Sequence, residues 1–230
     1  MIPWLDDNSH AFPAIETALT DPNGLLAVGG DLNTQRIITA YRLGIFPWFS
    51  DEDPILWWSP SPRCVLKPTE LHISKSFAKF SKKTTFSVSF DSAFNQVIDH
   101  CAQLRNEQEG SWITDEMQQA YQQLFAQGVA HSVEVWDEEL LVGGLYGLAI
   151  GNIFFGESMF SKRSNASKLA FSHLVKHLHQ AGFQLIDCQV HSQHLASLGA
   201  IEISREDFKE FLNNIDQPLS CEFNLDNVLD

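Results

Sequence analysis

Two consecutive apolar strands, "LLVGGLYGLAI" (140–150) and "NIFFGESMF" (152–160), meet at a tight Gly151–Asn152 turn. Everything after residue 84 has to be arranged around that pair. Ahead of it, "TFSVSF" alternates and reads as a strand. "SAFNQVIDHCAQLR" is an amphipathic helix with Phe94, Val97, Ile98, Cys101 and Leu104 on one side. "TDEMQQAYQQLFAQG" is a second helix, with Thr114 as N-cap, acids in its first turn and Gly128 at its end. "HSVEVW" is the strand leading into the pair. Behind it, "NASKLAFSHLVKHLHQAG" is a helix with Phe171, Leu174, Val175 and Leu178 inward and Gly182 as its stop. The strand "LIDCQV" follows, then a helix over "SREDFKEFL" with Ser204 and Asp207 spaced as a near-capping box, and a last strand over "LSCEFNL". The predicted order is β-α-α-β-β-β-α-β-α-β.

Residues 1–68 have a different texture, dense in Pro, Gly and Trp, with one helix at about 33–43 capped by Asn33 or Thr34. The reading is an α+β protein. A small N-terminal α/β domain (1–68) precedes a larger domain (69–230) with a mixed central sheet. At 44% hydrophobic and 19% charged, the chain has the composition of a globular protein with a real core. No apolar run is long enough to span a bilayer, and "MIPWLDDNSHAF" has neither a basic nor an apolar signal region. Cys64, Cys101, Cys188 and Cys221 are far apart in sequence, which suits a reduced, cytoplasmic protein.

Fifteen Lys and Arg against 29 Asp and Glu give a net charge of −14, which argues against broad nonspecific binding to nucleic acid. One local exception is "SKSFAKFSKK", where helical spacing sets Lys75, Lys79 and Lys82/Lys83 along one face. Such a stripe is either a solvated face or a set of phosphate contacts.

The strand "LIDCQV" carries a conflict. Alternation points Leu185, Asp187 and Gln189 one way and Ile186, Cys188 and Val190 the other. A carboxylate and an amide on one face of an apolar strand need partners. They form either a structural pair or a catalytic one, and Cys188 on the opposite face reads as a packed thiol. His173 and His177 have i, i+4 spacing but no evident third ligand, so no metal is expected. The chain has no nucleophile elbow, Walker loop or dinucleotide fingerprint.

The element order resembles the GCN5-related N-acetyltransferase fold, which implies acyl transfer to an amine. In that fold a glycine-rich turn cradles the coenzyme A pyrophosphate at a helix N-terminus. The corresponding segment here, "FSKRSNASK", has no glycine but carries Lys162, Arg163, Ser164, Asn165 and Lys168. It suits a single phosphate or a polynucleotide end better.

Several blocks together resemble the leucyl/phenylalanyl-tRNA–protein transferase family: "PNGLLAVGGDLNTQRIITAYRLGIFPWFS", "PILWWSPSPRCVL", "WITDEMQQAY", "FFGESMFS", "NASKLA" and "LIDCQV". The resemblance implies transfer of leucine or phenylalanine, and weakly methionine, from aminoacyl-tRNA to proteins with N-terminal Arg or Lys, creating an N-degron. It implies no cofactor. It assigns catalysis to Asp187, Gln189 and Glu157, with Asp187 orienting Gln189 and Gln189 meeting the amine. It implies an apolar aminoacyl pocket of Leu145, Phe154, Phe171, Leu174, Leu178 and Ile186. Trp48 and Trp112, with Tyr41 and Tyr121 beside them, would receive the 3′-adenosine. Lys75, Lys79, Lys82 and Lys83 would meet the tRNA backbone. The resemblance leaves His191 and Ser192 without a role. A monomer is expected. A coenzyme A-dependent acetyltransferase and a non-enzymatic tRNA-end or N-degron binding module are the alternatives.

Overall fold

The computed structural model describes residues 2–7, 9–106 and 113–219. The N-terminal part holds β1 (Trp4–Leu5), β2 (Leu25–Gly29), α1 (Thr34–Arg42), β3 (Phe46–Pro47) and β4 (Leu56–Trp58). These strands form a four-stranded sheet in the order β1-β2-β4-β3. Asn33 is the α1 cap, its side chain accepting the Gln35 amide. The buried Arg36 guanidinium ties α1 to Asp31 and to the carbonyls of Asp6, Asp7 and Ser9.

The chain continues through β5 (Arg63–Leu66), α2 (Lys75–Ser81), β6 (Ser87–Phe90), α3 (Phe94–Asn106), α4 (Asp115–Ala126) and β7 (Ala130–Asp137). The predicted pair follows as β8 (Leu140–Ile150) and β9 (Ile153–Ser161), then α5 (Ala166–Ala181) and β10 (Leu185–Gln189). The last elements are α6 (Gln193–Ser197), β11 (Ile201–Ile203) and α7 (Arg205–Asn213). A seven-stranded sheet runs β11-β5-β10-β9-β8-β7-β6. It is mixed, because β10 runs parallel to β9 and every other neighbouring pair is antiparallel.

The sheet is covered on both sides. On one face α3 and α4 pack in a core that continues into α1, α7 and the N-terminal sheet through Ile37, Tyr41, Trp57 and Phe208. On the other face α5 contributes Leu169, Phe171, Leu174 and Leu178, joined by Phe77 of α2. This double burial explains why β8 and β9 read as nearly continuous apolar runs.

The predicted order holds from β6 to β10, giving the expected mixed-sheet α+β architecture. Two short elements, α6 and β11, intervene before α7; at five and three residues they are too brief to show a period. The expected last strand lies outside the described residues except for Leu219. The first sheet ends at Trp58, and β5 already pairs with β10 and β11 of the second. The sheet-to-sheet passage therefore lies between residues 58 and 63, ahead of the expected boundary at 68.

Candidate active site

The two strands at the centre of the second sheet part company where the candidate residues Glu157, Asp187 and Gln189 lie. β10 pairs with β9 from Leu185↔Ile153 to Asp187↔Phe155 and no further. Just beyond, both strands carry an extra residue. Tyr146 faces Ser158 and Gly147 faces Gly156, so Glu157 is the surplus residue on β9. Asp187 faces Val65 and Gln189 faces Cys64, so Cys188 is surplus on β10. A side chain at Gly147 would meet the Phe155 carbonyl at 2.2 Å, so the β9 bulge requires glycine opposite it. Between the parted strands opens a cavity of about 420 Å³, bounded also by α5 and by Phe46, Pro47 and Trp48. That volume is ordinary for a small-molecule site.

Its polar end is built on Glu157. Glu157 Oε1 accepts hydrogen bonds from the Tyr41 hydroxyl at 2.7 Å and from Gln189 Nε2 at 2.8 Å. Oε2 accepts from the Tyr121 hydroxyl at 3.0 Å, and the two tyrosine oxygens are 2.6 Å apart. Burial pushes the Glu157 carboxyl up to about 7, although the Tyr41, Tyr121 and Gln189 donors act to lower it; the Asp187 charge adds to the rise. Burial, and then the Glu157 charge, hold both tyrosines well above their usual value.

Asp187 lies behind this group. Its carboxylate is fully buried and makes a two-pronged pair with Arg63, Nε to Oδ1 at 2.8 Å and Nη2 to Oδ2 at 2.6 Å. Oδ1 also accepts the Gln189 backbone N–H at 2.9 Å. Alternation holds: Leu185 joins the α3/α4 side, Ile186 and Cys188 the α5 side. Gln189, at φ 62°, keeps the Leu185 and Asp187 side: its amide reaches Glu157, whose partners Tyr41 and Tyr121 lie in the same core as Leu185. Asp187 therefore grips the Gln189 backbone rather than its side chain, and it does not line the cavity.

At the apolar end, Leu145, Phe154, Phe171, Leu174 and Ile186 line the cavity. Leu178 does not; one turn farther along α5, it is fully buried in the helix–sheet core. Sequence reasoning missed Met159, Val190, His194 and Leu195, which also line it, as do Tyr146, Gly156 and Ser158. His191 and Ser192, left without a role, line it too. Cys188 is on the face opposite Asp187 as expected, but it is half-buried in the cavity wall rather than sealed in the core. A hydrogen bond with the Cys64 thiol, together with burial, raises it well above the usual value. Arg63 was also missed; the signal was a buried aspartate with no basic residue nearby in sequence.

Trp48 sits at the cavity rim, 44% exposed, tilted against Trp58 at 5.7 Å between ring centres. Trp112 lies outside the described residues. Tyr41 and Tyr121 are fully buried and present no ring face to a base, which corrects their expected place beside a stacked adenosine; their hydroxyls serve Glu157 instead. Lys75 and Lys79 on α2, with Lys82 and Lys83 at its C-terminal end, are all exposed, and none lines the cavity. Among the described residues no three metal-ligating side chains converge, and no helix is long and apolar enough to cross a membrane.

Comparison with known proteins identifies the family of the chain. The profile described as leucyl/phenylalanyl-tRNA protein transferase matches residues 65–213, and that of the same enzyme's N-terminal domain matches residues 30–61. The leucyl/phenylalanyl-tRNA–protein transferase of Pseudomonas fluorescens is 58% identical, covering 95% of this chain and 97% of its own. That of Pseudomonas aeruginosa is 57% identical over the same shares. Among solved structures, a GCN5-related N-acetyltransferase from Kribbella flavida aligns over 71% of this chain and 58% of its own, at 10% identity and a TM-score of 0.38, a likeness too distant to argue from. Matched over nearly its whole length by these relatives, the chain belongs to the leucyl/phenylalanyl-tRNA–protein transferase family of aminoacyltransferases.

Proposed function

We propose that this chain transfers leucine or phenylalanine, and methionine weakly, from aminoacyl-tRNA to the α-amine of proteins beginning with Arg or Lys, creating an N-degron. One observation carries the reading: an apolar cavity ends at a buried carboxylate with a raised pKa, and the Gln189 amide is hydrogen-bonded to it. The cavity takes the aminoacyl side chain against Leu145, Phe154, Phe171, Leu174 and Ile186. An apolar pocket separates neighbouring side chains by only about 1–3 kcal/mol, which suits a donor set of Leu, Phe and some Met.

The acceptor amine nitrogen attacks the ester carbonyl carbon. A C–N bond forms, the C–O bond to the terminal ribose breaks, and the ribose oxygen leaves with a proton. The attacking amine has a solution pKa of about 8 and must shed a proton near neutrality. Glu157, tuned to about 7, is the acceptor for that proton. Gln189 orients the amine, and Asp187 holds Gln189 in place. The exposed Trp48 face offers a stacking surface to the terminal adenine. The exposed Lys75, Lys79, Lys82 and Lys83 meet acceptor-stem phosphates, which makes donor binding salt-sensitive and largely indifferent to tRNA sequence. The protein works as a cytoplasmic monomer.

Labelled leucine and phenylalanine on charged tRNA, presented with an Arg-initial and a Gly-initial peptide, test this. Labelling confined to the Arg-initial peptide is the expected result. No labelling by folded protein, with tRNA still bound, would move the reading to a binding module.

A further inference from the structure

We propose that Arg63 is a positioning residue of the transfer reaction: by fixing Asp187 it fixes the backbone at Gln189, and so keeps the Gln189 amide on Glu157. This rests on the transferase reading above and adds to it a residue that never touches substrate.

Gln189 has a backbone conformation that non-glycine residues disfavour, at φ 62°. What holds it there is the Asp187 Oδ1 acceptor on its N–H. That acceptor is useful only while the Asp187 carboxylate is correctly turned. A fully buried carboxylate without a partner would rotate toward another donor. The two-pronged Arg63 contact fixes its orientation.

Arg63 is itself clamped. Its guanidinium carbon lies 4.8 Å from the centre of the Phe46 ring and 4.8 Å from that of Phe208. One plate comes from β3, beside the cavity-lining Pro47 and Trp48, and the other from α7. A planar cation fits between two rings; a lysine ammonium would keep the charge but neither the fork nor the planar stacking. Nη1 has no hydrogen-bond partner among the described residues. A pair kept for stability alone is weakly justified when buried, and less so with a donor left over. Placement of Asp187 accounts for it better.

The test is a kinetic cycle of wild type, Arg63→Lys, Asp187→Asn and the double variant, followed over about pH 5.5–9. Arg63→Lys is expected to lower kcat roughly 10- to 100-fold, the scale of a slightly misplaced reacting group, with KM for both substrates within about 3-fold. Its acid limb moves to higher pH, because a loosened Gln189 donates less well to Glu157 and the Glu157 carboxyl rises further. The double variant falls within about 3-fold of the weaker single variant, since both act through one contact. A folded Arg63→Lys protein with wild-type kcat and acid limb overturns the inference, as does strict additivity in the cycle. Should Arg63→Lys not fold, Phe208→Leu removes one plate and must shift the limb the same way by less; no shift there overturns it equally. Failure of the wild type to transfer at all would instead refute the transferase reading.

Discussion

The Glu157 carboxyl gives the sharpest quantitative test, because its burial ties stability and activity to one titration. Its pKa is about 7 in the folded protein against the ordinary 4.5. That gap corresponds to roughly 3 kcal/mol by the usual conversion. The folded state holds this proton more tightly than the unfolded state does. The stabilisation is therefore complete below pH 4.5 and is lost as pH rises to about 7, after which the term is flat. Glu157→Gln cannot titrate, so its stability lacks this slope. It also has a constant offset of about 1–3 kcal/mol, because an amide cannot accept from Tyr41, Tyr121 and Gln189 as the carboxylate does. Urea denaturation of both proteins at several values from about pH 5 to 8 measures the difference, with other carboxylates common to the two. The stability difference between the proteins should change by about 2.5 kcal/mol across that range, in the direction that favours the variant at high pH. Transfer by the variant should fall about 10²- to 10⁴-fold, the usual contribution of a positioned base. Parallel stability curves would refute the claim that Glu157 carries the titration, and with it the assignment of Glu157 as proton acceptor.

Leu174→Phe crowds the apolar end of the cavity, so phenylalanine transfer should drop about 10-fold or more relative to leucine in a competition assay, from about 1–3 kcal/mol of overpacking. Trp48→Ala should weaken kcat/KM for aminoacyl-tRNA by the roughly 1–3 kcal/mol of one stacked base, and Trp48→Phe should restore most of it. Changing Lys75, Lys79, Lys82 and Lys83 together to Gln should raise the donor Kd and flatten its log–log salt dependence by roughly 0.9 for each phosphate left unneutralised. A salt slope equal to that of the wild type would remove those lysines from the tRNA surface.

Periodicity revealed the frame of the site but not its centre. The apolar runs of β8 and β9, the inward face of α5 and the caps at Asn33, Thr114 and Ser204 all follow local rules, and local rules are visible in one sequence. Five of the six expected pocket side chains line the cavity for the same reason. Glu157 and Gln189 meet where the β9–β10 pairing ends and each strand bulges, and nothing local in either segment marks where that pairing stops. Arg63 finds Asp187 across 124 residues, and Tyr41 finds Glu157 across 116. No spacing rule spans such distances. Tyr41 and Tyr121 stand in recognisable blocks, yet only their burial shows that their hydroxyls, and not their ring faces, matter. Leu178 keeps helical phase with Leu174 and still falls outside the cavity, because phase fixes a face and not a depth along it.

The hydroxyls and amide around Glu157 come from α1, α4 and the end of β10, so this carboxylate is surrounded only when both ends of the chain have closed on the middle. Contacts of such long range form late and together. Ribosomes release this protein from its N-terminus onward, and Tyr41 emerges long before the residue it must serve. A half-made chain thus lacks any version of the site, even a crude one. Catalysis begins as a single event at the completion of the fold, and a nascent chain that has not yet emerged as far as Gln189 is silent toward the charged tRNA that surrounds it during synthesis.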